Sequence, residues 1–398
     1  MAEYIPFITS EEGAKLSKQF YADSDIVRVP LLQARRFISM IGPTSKIWLD
    51  PCIDGLDNIE TRRSKPKPEK KINRWFDFTK NFAHFEEMGR PDFQKNPDKS
   101  IINVFVKAVL NKCAEYKPAW ITVPQLPLIS NSDRNKINRA LAEVTGKWRS
   151  DSGYSGQLIL PIVFTHKEQL KGKTERKPKI EQAARCYNDS SADGYWVVDS
   201  DLTDDEGSVS LRKKRYDNII DLHEILRDKI SSQIKIAGPY WGLNLVLWVR
   251  GLVDYPAIGV GSGYQYFLSG RPYGRQASIK LAISSLRRRA EIGSEFKEWI
   301  KTVLSTLSPS HPVRAELYDL KTNYSMYEQE DVAKQQIVKF YKHWIDGIAA
   351  VPKAGRSMAL FQDLSASYVL GKSLPEMRWE GTTRRPESVV EPLMLSCL

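Results

Sequence analysis

Short apolar runs alternate with segments whose apolar residues recur every three or four positions, and this alternation continues through most of the chain. Residues 234–267, IKIAGPYWGLNLVLWVRGLVDYPAIGVGSGYQYF, show it most densely. An apolar run at 234–237 stops at Gly238-Pro239, a helical segment covers 241–250, and a second run at 257–260 stops at Gly261-Ser262-Gly263. That is a βαβ unit. In α/β folds the loops at strand C-termini carry the chemistry, so residues 239–241 and 259–264 mark the expected working face.

The rest of the chain predicts the same kind of pair. Residues 4–9 form a first strand and 10–20 its helix, with Ser10 placed to cap it and Glu11 and Glu12 in the first turn. Residues 26–32, with Pro30 admissible only at a strand end or bulge, precede a helix at 33–40, and 47–50 is the third strand. Helical spacing returns at 101–116. Strands at 119–123, 157–164 and 195–198 are followed by helices at 132–147, 180–187 and 216–230; the run QLILPIVF suits a strand buried on both faces. Eight alternations, counted to a helix after Gln276, predict a (β/α)8 TIM-type barrel over residues 1–304. No strands are expected beyond 304. A helical C-terminal extension, 305–398, contains an amphipathic helix at 329–348 that must pack on the barrel or meet a protein partner, because exposed it would form a large apolar patch.

A long insertion, 57–99, interrupts the third pair. Its first part, RRSKPKPEKK, is basic and proline-rich. Its second part carries Trp75, Phe76, Phe78, Phe82 and Phe85, of which the last three have the spacing of one helix face. Basic charge joined to aromatic rings suits a lid that also holds nucleic acid, with a solvated loop and an ordinary amphipathic helix as the plainer reading.

Composition narrows the class. The chain has 398 residues, 41% hydrophobic and 27% charged, which is a folded protein rather than a disordered one. A net charge of +11 favours polyanions as partners. Cys52, Cys113, Cys186 and Cys397 lie far apart with neither metal-ligand nor disulfide-framework spacing, as expected for a cytoplasmic protein. The first residues show no signal-peptide pattern, and the longest apolar stretch, 243–249, is too short to span a bilayer, so no membrane role is expected.

Candidate chemistry follows from the strand ends. Asp50 and Asp199, on nonadjacent strands, form the candidate catalytic pair, one as nucleophile or base and the other as acid, with Asp201 and His166 as further candidates. Each aspartate has an alternative role in capping a helix or bonding loop amides, and His166 one as a structural hydrogen-bonder. Asp54, Gln125, Tyr240, Trp241 and Tyr264 are candidate substrate contacts, and Tyr266 is a further ring that could stack with Tyr240, Trp241 and Tyr264 on a base or sugar, core packing being the commoner role of such rings. The loop GVGSGYQ offers Gly259, Gly261, Ser262 and Gly263 for a phosphate, assisted by Arg271 and Arg275, although it matches neither GxGxxG nor the P-loop. Nucleic acid would be met by Arg62, Arg63, Lys65, Arg74, Trp75 and Phe76 of the insertion and by the RKKR run of Arg212, Lys213, Lys214 and Arg215; a second cluster is RRR at 287–289. No cofactor is implied and no metal site is recognised, though Asp50, Asp54, Asp199 or Asp201 could hold a divalent cation.

These features predict an enzyme acting on a nucleic acid or nucleotide, at a glycosidic bond by base exchange or hydrolysis, or at a phosphate ester, through two mouth carboxylates. A non-catalytic nucleic-acid-binding or complex-forming scaffold and a divalent-metal-dependent phosphohydrolase are the alternatives.

Overall fold

The structure, a computed structural model, describes residues 3–42, 45–58, 78–128, 132–165, 167–202, 208–261, 264–266, 279–379 and 382–397. Eight parallel strands close a barrel in sequence order: β1 (Ile5–Phe7), β2 (Ile26–Pro30), β3 (Lys46–Asp50), β4 (Trp120–Thr122), β5 (Gln157–Phe164), β6 (Gly194–Asp199), β7 (Ile234–Ala237) and β8 (Tyr255–Gly259). The ring is completed where β8 meets β1, with Ile5 opposite Ala257 and Phe7 opposite Gly259. Seven helices follow the first seven strands: α1 (Glu11–Phe20), α2 (Ala34–Ile41), α3 (Lys99–Ala114), α4 (Ser132–Ser152), α5 (Lys173–Asp189), α6 (Val209–Lys229) and α7 (Leu243–Val249). The chain is therefore a (β/α)8 barrel of the TIM type.

Local chemistry sets the helix starts. The Ser10 side chain accepts from Gly13 N at 3.0 Å, Asp98 accepts from Ser100 N at 2.8 Å, and Ser208 accepts from Leu211 N at 3.3 Å, each satisfying an amide that the helix leaves open. Two helices begin earlier than periodicity predicts. The basic segment KGKTERKPK supplies the first turns of α5, where Pro178 forfeits one backbone bond while Arg176 anchors the turn to α6, donating to Asn218 Oδ1 at 3.0 Å and Asp221 Oδ2 at 3.1 Å. The RKKR run lies inside α6 rather than in a loop.

Among the described residues no α-helix stands between β8 and residue 294, where an eighth was expected. Past residue 279 the chain forms an antiparallel pair, β9 (Lys280–Ile283) and β10 (Arg288–Glu291), and then α8 (Ser294–Thr306), α9 (Arg314–Thr322), α10 (Glu330–Ala349), α11 (Arg356–Lys372), a small hairpin of β11 (Met377–Trp379) and β12 (Thr382–Arg384), and α12 (Val390–Ser396). Strands thus occur beyond 304, where none was expected: three-residue strands are too short to show alternation. A second core of Leu281, Ile283, Phe296, Trp299, Val303, Leu317 and Met377 begins at β9, upstream of the expected boundary.

α10 takes the eighth helix's place on the barrel. Its Ile337, Val338, Tyr341, Trp344 and Ile345 are buried in the barrel core, Tyr21 just past α1 donates to Val338 O, and Tyr341 donates to Asn244 Oδ1 of α7 at 2.8 Å. The apolar face that was weighed as a partner surface is covered by the chain itself. The described part of the insertion also packs inward: Phe78 and Phe82 meet edge to face at 5.5 Å, and Phe82 lies 6.4 Å from Phe105 of α3. Phe85 belongs to a separate short turn, Phe85–Met88, so the three rings do not share one continuous helix. Among the described residues no helix is long and apolar enough to cross a membrane.

Candidate functional site at the barrel mouth

Three rings define the inside of the barrel. Phe7 of β1, Trp48 of β3 and Trp196 of β6 lie on strands that are not neighbours, yet their centroids are 5.3 to 6.1 Å apart, so all three project into the lumen. Strand side chains alternate faces. Asp50, two residues past Trp48, therefore faces the lumen at the C-terminal end of β3. Arg28 of β2 does too, its guanidinium carbon 4.1 Å from the centre of the Phe7 ring.

Arg28 and Asp50 form a buried ion pair, each side chain only 3% exposed. Arg28 Nε donates to Asp50 Oδ2 at 3.1 Å and Nη2 donates to the same oxygen; Nη1 reaches Ile8 O at 3.3 Å and Nη2 lies 3.2 Å from Cys52 Sγ. Burial works against the guanidinium charge, but Asp50, Cys52 and Tyr266 outweigh it and push its pKa up. Asp50 Oδ1 accepts from the Cys52 amide at 2.9 Å, and Cys52 adopts φ +57, which folds the chain back over the carboxylate.

Asp54 joins the same end of the lumen, its Oδ2 accepting from the Tyr266 hydroxyl at 2.7 Å. Burial, followed by Asp54 and Asp50, raises the Tyr266 pKa and keeps the phenol a donor. Asp50, Asp54, Thr122, Gln125, Trp196 and Tyr266 line one small cavity with room for about one water molecule. Thr122 accepts from Trp48 Nε1 at 2.9 Å, and Gln125 donates to Asn138 O at 2.9 Å.

Asp199 is not part of that cavity. It lies three residues past Trp196, so it faces the helix layer, where Arg215 of α6 grips it at 2.8 to 3.0 Å through Nε and Nη2. Burial raises its pKa against the opposing pull of Arg215. Tyr240 belongs to this arrangement, its hydroxyl accepting from Asp199 N at 2.6 Å, and Asp201 lies half-buried, Oδ2 3.6 Å from Arg215 Nη2. The expected pairing of Asp50 with Asp199 across one cavity is thus replaced by Asp50 with Asp54.

Other expected contacts are placed differently from the reading of the sequence. Trp241 and Tyr264 are buried at 2% and 1% exposure, their rings 4.9 Å apart and packed on Phe340, Tyr341 and Trp344 of α10 rather than open to a ligand. Gly259 ends β8, and Gly261, at φ +87, lies beneath Lys334 of α10. Lys334 is held at 2.6 Å by both Glu12 and Glu330, so the cation above Gly261 is already paired.

The basic clusters are largely internal. Arg212 is 5% exposed, Lys213 pairs with Asp217 at 2.5 Å, Arg215 holds Asp199, and Lys214 is exposed. Arg287 donates to Asp363 at 2.6 and 2.8 Å, Arg288 is fully buried on the carbonyls of Arg385 and Pro386, and Arg289 sits 5.0 Å over Trp241. The two runs are therefore neither mainly solvated faces nor one solvent-facing track, the arrangement in which they would have met nucleic acid together. His166, Ser262, Gly263, Arg271, Arg275, Arg62, Arg63, Lys65, Arg74, Trp75 and Phe76 lie outside the described residues.

Arg28 and Thr122 belong to the site without having been expected there, whereas Tyr266, one of the rings expected to meet a base or sugar at the mouth, does line the cavity. Arg28 carried a signal, a lone charge inside the apolar run IVRVP. Among the described residues, no group of three or more His, Cys, Asp or Glu side chains is placed to hold a metal ion. No family model matches the chain, and no curated protein matches it.

Proposed function

We propose that this barrel is an enzyme acting on a nucleic acid or nucleotide, at its glycosidic bond in preference to its phosphate ester, with Asp50 and Asp54 as the working carboxylates. The observation that carries the reading is their shared cavity, lined also by Trp196 and Tyr266, at the C-terminal end of the lumen. Buried carboxylates are costly to keep and are retained where a charge has work to do.

Arg28 holds Asp50 in one orientation, with two donors on Oδ2, which suits a group that attacks or stabilises a cationic anomeric carbon. Asp54 accepts a hydroxyl proton donor at 2.7 Å, the contact expected of a base or of an anchor for a substrate hydroxyl. A lumen walled by Trp48, Trp196 and Phe7 suits the flat face of a base or the apolar face of a sugar. The scaffold alternative is less favoured because the arginines it would use are engaged inside the fold.

The test is to incubate the full chain with nucleosides, nucleotides, single-stranded DNA and RNA, with and without Mg²⁺, and to follow free base and phosphate by chromatography. Base release that falls at least about a hundredfold in Asp50→Asn, as for loss of a group acting in the transition state, is the expected result. Phosphate release with no free base, or turnover unaffected by Asp50→Asn and Asp54→Asn, would overturn it.

A further inference from the structure

Tyr266 stands in a position that the proposed chemistry needs for a ligand. Its hydroxyl donates to Asp54 Oδ2 at 2.7 Å, and its ring stands edge-on to Trp196 at 5.1 Å and to Phe7 at 6.1 Å. The residue comes from the irregular chain after β8, not from a barrel strand, yet it reaches the lumen beside β3 and is only 4% exposed. What remains beside it holds about one water. Its neighbours point elsewhere: Gln265 donates to Ser200 O at 3.2 Å beyond β6, and Tyr264 packs on α10.

We propose that the Tyr266 side chain occupies a ring-binding subsite of this barrel and that its ligand is a six-membered or five-membered ring bearing a hydroxyl or N–H donor, a nucleoside base or its ribose. The inference rests on the nucleotide reading above. Without the phenol, the space left has an acceptor, Asp54 Oδ2, where the hydroxyl stood, with Asp50 and Gln125 beside it and Trp196 along one wall. A ligand ring whose donor replaces the phenol hydroxyl restores the bond to Asp54. The ligand ring then meets the same Trp196 and Phe7 rings that now pack on the tyrosine. Because the side chain and the ligand compete for one volume, the apparent affinity of the native protein is weakened by the fraction of molecules in which Tyr266 is in place.

The test is calorimetric titration of the full chain with adenosine, guanosine, cytidine and uridine, each against the native protein, Tyr266→Ala and Tyr266→Phe. Tyr266→Ala should bind at least one nucleoside about tenfold more tightly than the native protein, since the competitor is gone. Tyr266→Phe keeps the ring but loses its hold on Asp54, so it should gain by a smaller factor and serves where the alanine variant does not fold. A gain in either variant supports the proposal. Unchanged or weaker binding in both, with the native protein still binding nucleosides, overturns the proposal and leaves the nucleotide reading standing. No binding by any of the three proteins overturns both.

Discussion

Arg28 on β2 stands opposite Trp48, and its guanidinium reaches along β3 to Asp50 at the strand's end, closing a buried ion pair inside the barrel lumen. Neither charge has water to fall back on. Removing one leaves the other as an uncompensated buried charge that bears the full cost of desolvation. Arg28→Met should therefore lower stability by about 3 to 5 kcal/mol, while Arg28→Met combined with Asp50→Leu should recover most of it. Urea unfolding of the two variants checks this, and equal losses in both would show the pair to be uncoupled.

His223 lies on the inner face of α6 at 0% exposure with neither ring nitrogen hydrogen-bonded, and burial drives its pKa from 6.5 down to about 3. The folded state then binds fewer protons than the unfolded one between those values. Its contribution is intact above pH 6.5 and is lost as pH falls toward about 3, at about 1.4 kcal/mol per pH unit. The stability difference between the native protein and His223→Leu should shift in the variant's favour over that window. A difference that stays constant with pH would refute the assignment.

Gly146 of α4 lies where α4 meets α5, and a Cβ there would stand 2.4 Å from the carbonyl oxygen of Asp189. Gly146→Ala should cost about 1 to 3 kcal/mol through overpacking. At Gly153, with φ +64 and open space around it, alanine meets only backbone strain, about 1 kcal/mol. Thermal melts of the two variants should rank them in that order.

Arg287 is a structural cation. Its bonds to Asp363 tie the β9–β10 unit to α11, and its guanidinium lies 5.4 Å from Phe340. Arg287→Ala should destabilise by about 1.5 to 3 kcal/mol, the range for hydrogen bonds to charged groups, without changing affinity for a single-stranded oligonucleotide. Lys214→Glu, at an exposed position, should do the reverse, weakening such binding while leaving the melting temperature nearly unchanged. Melts and fluorescence-anisotropy titrations at two salt concentrations separate the two residues.

The barrel was legible because its signal is local. A strand buried on both faces needs a continuous apolar run, as in QLILPIVF, and an amphipathic helix needs its period, so β5 and β7 have the bounds that the pattern predicts. What the pattern leaves open is direction. In GYWVVD every side chain before the aspartate is apolar or aromatic, and alternation cannot say which face looks into the lumen. Closure of the barrel decides it: Trp196 meets Phe7 and Trp48 inside, so Asp199 must turn outward to Arg215, while Asp50 stays inside with Arg28.

The basic runs teach the same lesson. Charge in a sequence names a partner's sign, not its identity, and Asp363, Asp217 and backbone carbonyls answer the arginines and lysines that composition alone assigned to a polyanion. The chain by itself determined eight strands, the helices after the first seven, a C-terminal amphipathic helix and acids at strand ends, because propensity and periodicity act over a few residues. Which acids share a cavity, which ring fills it, and which helix stands eighth in the ring depended on contacts between positions as distant as Asp54 and Tyr266, and those exist only once the barrel has closed.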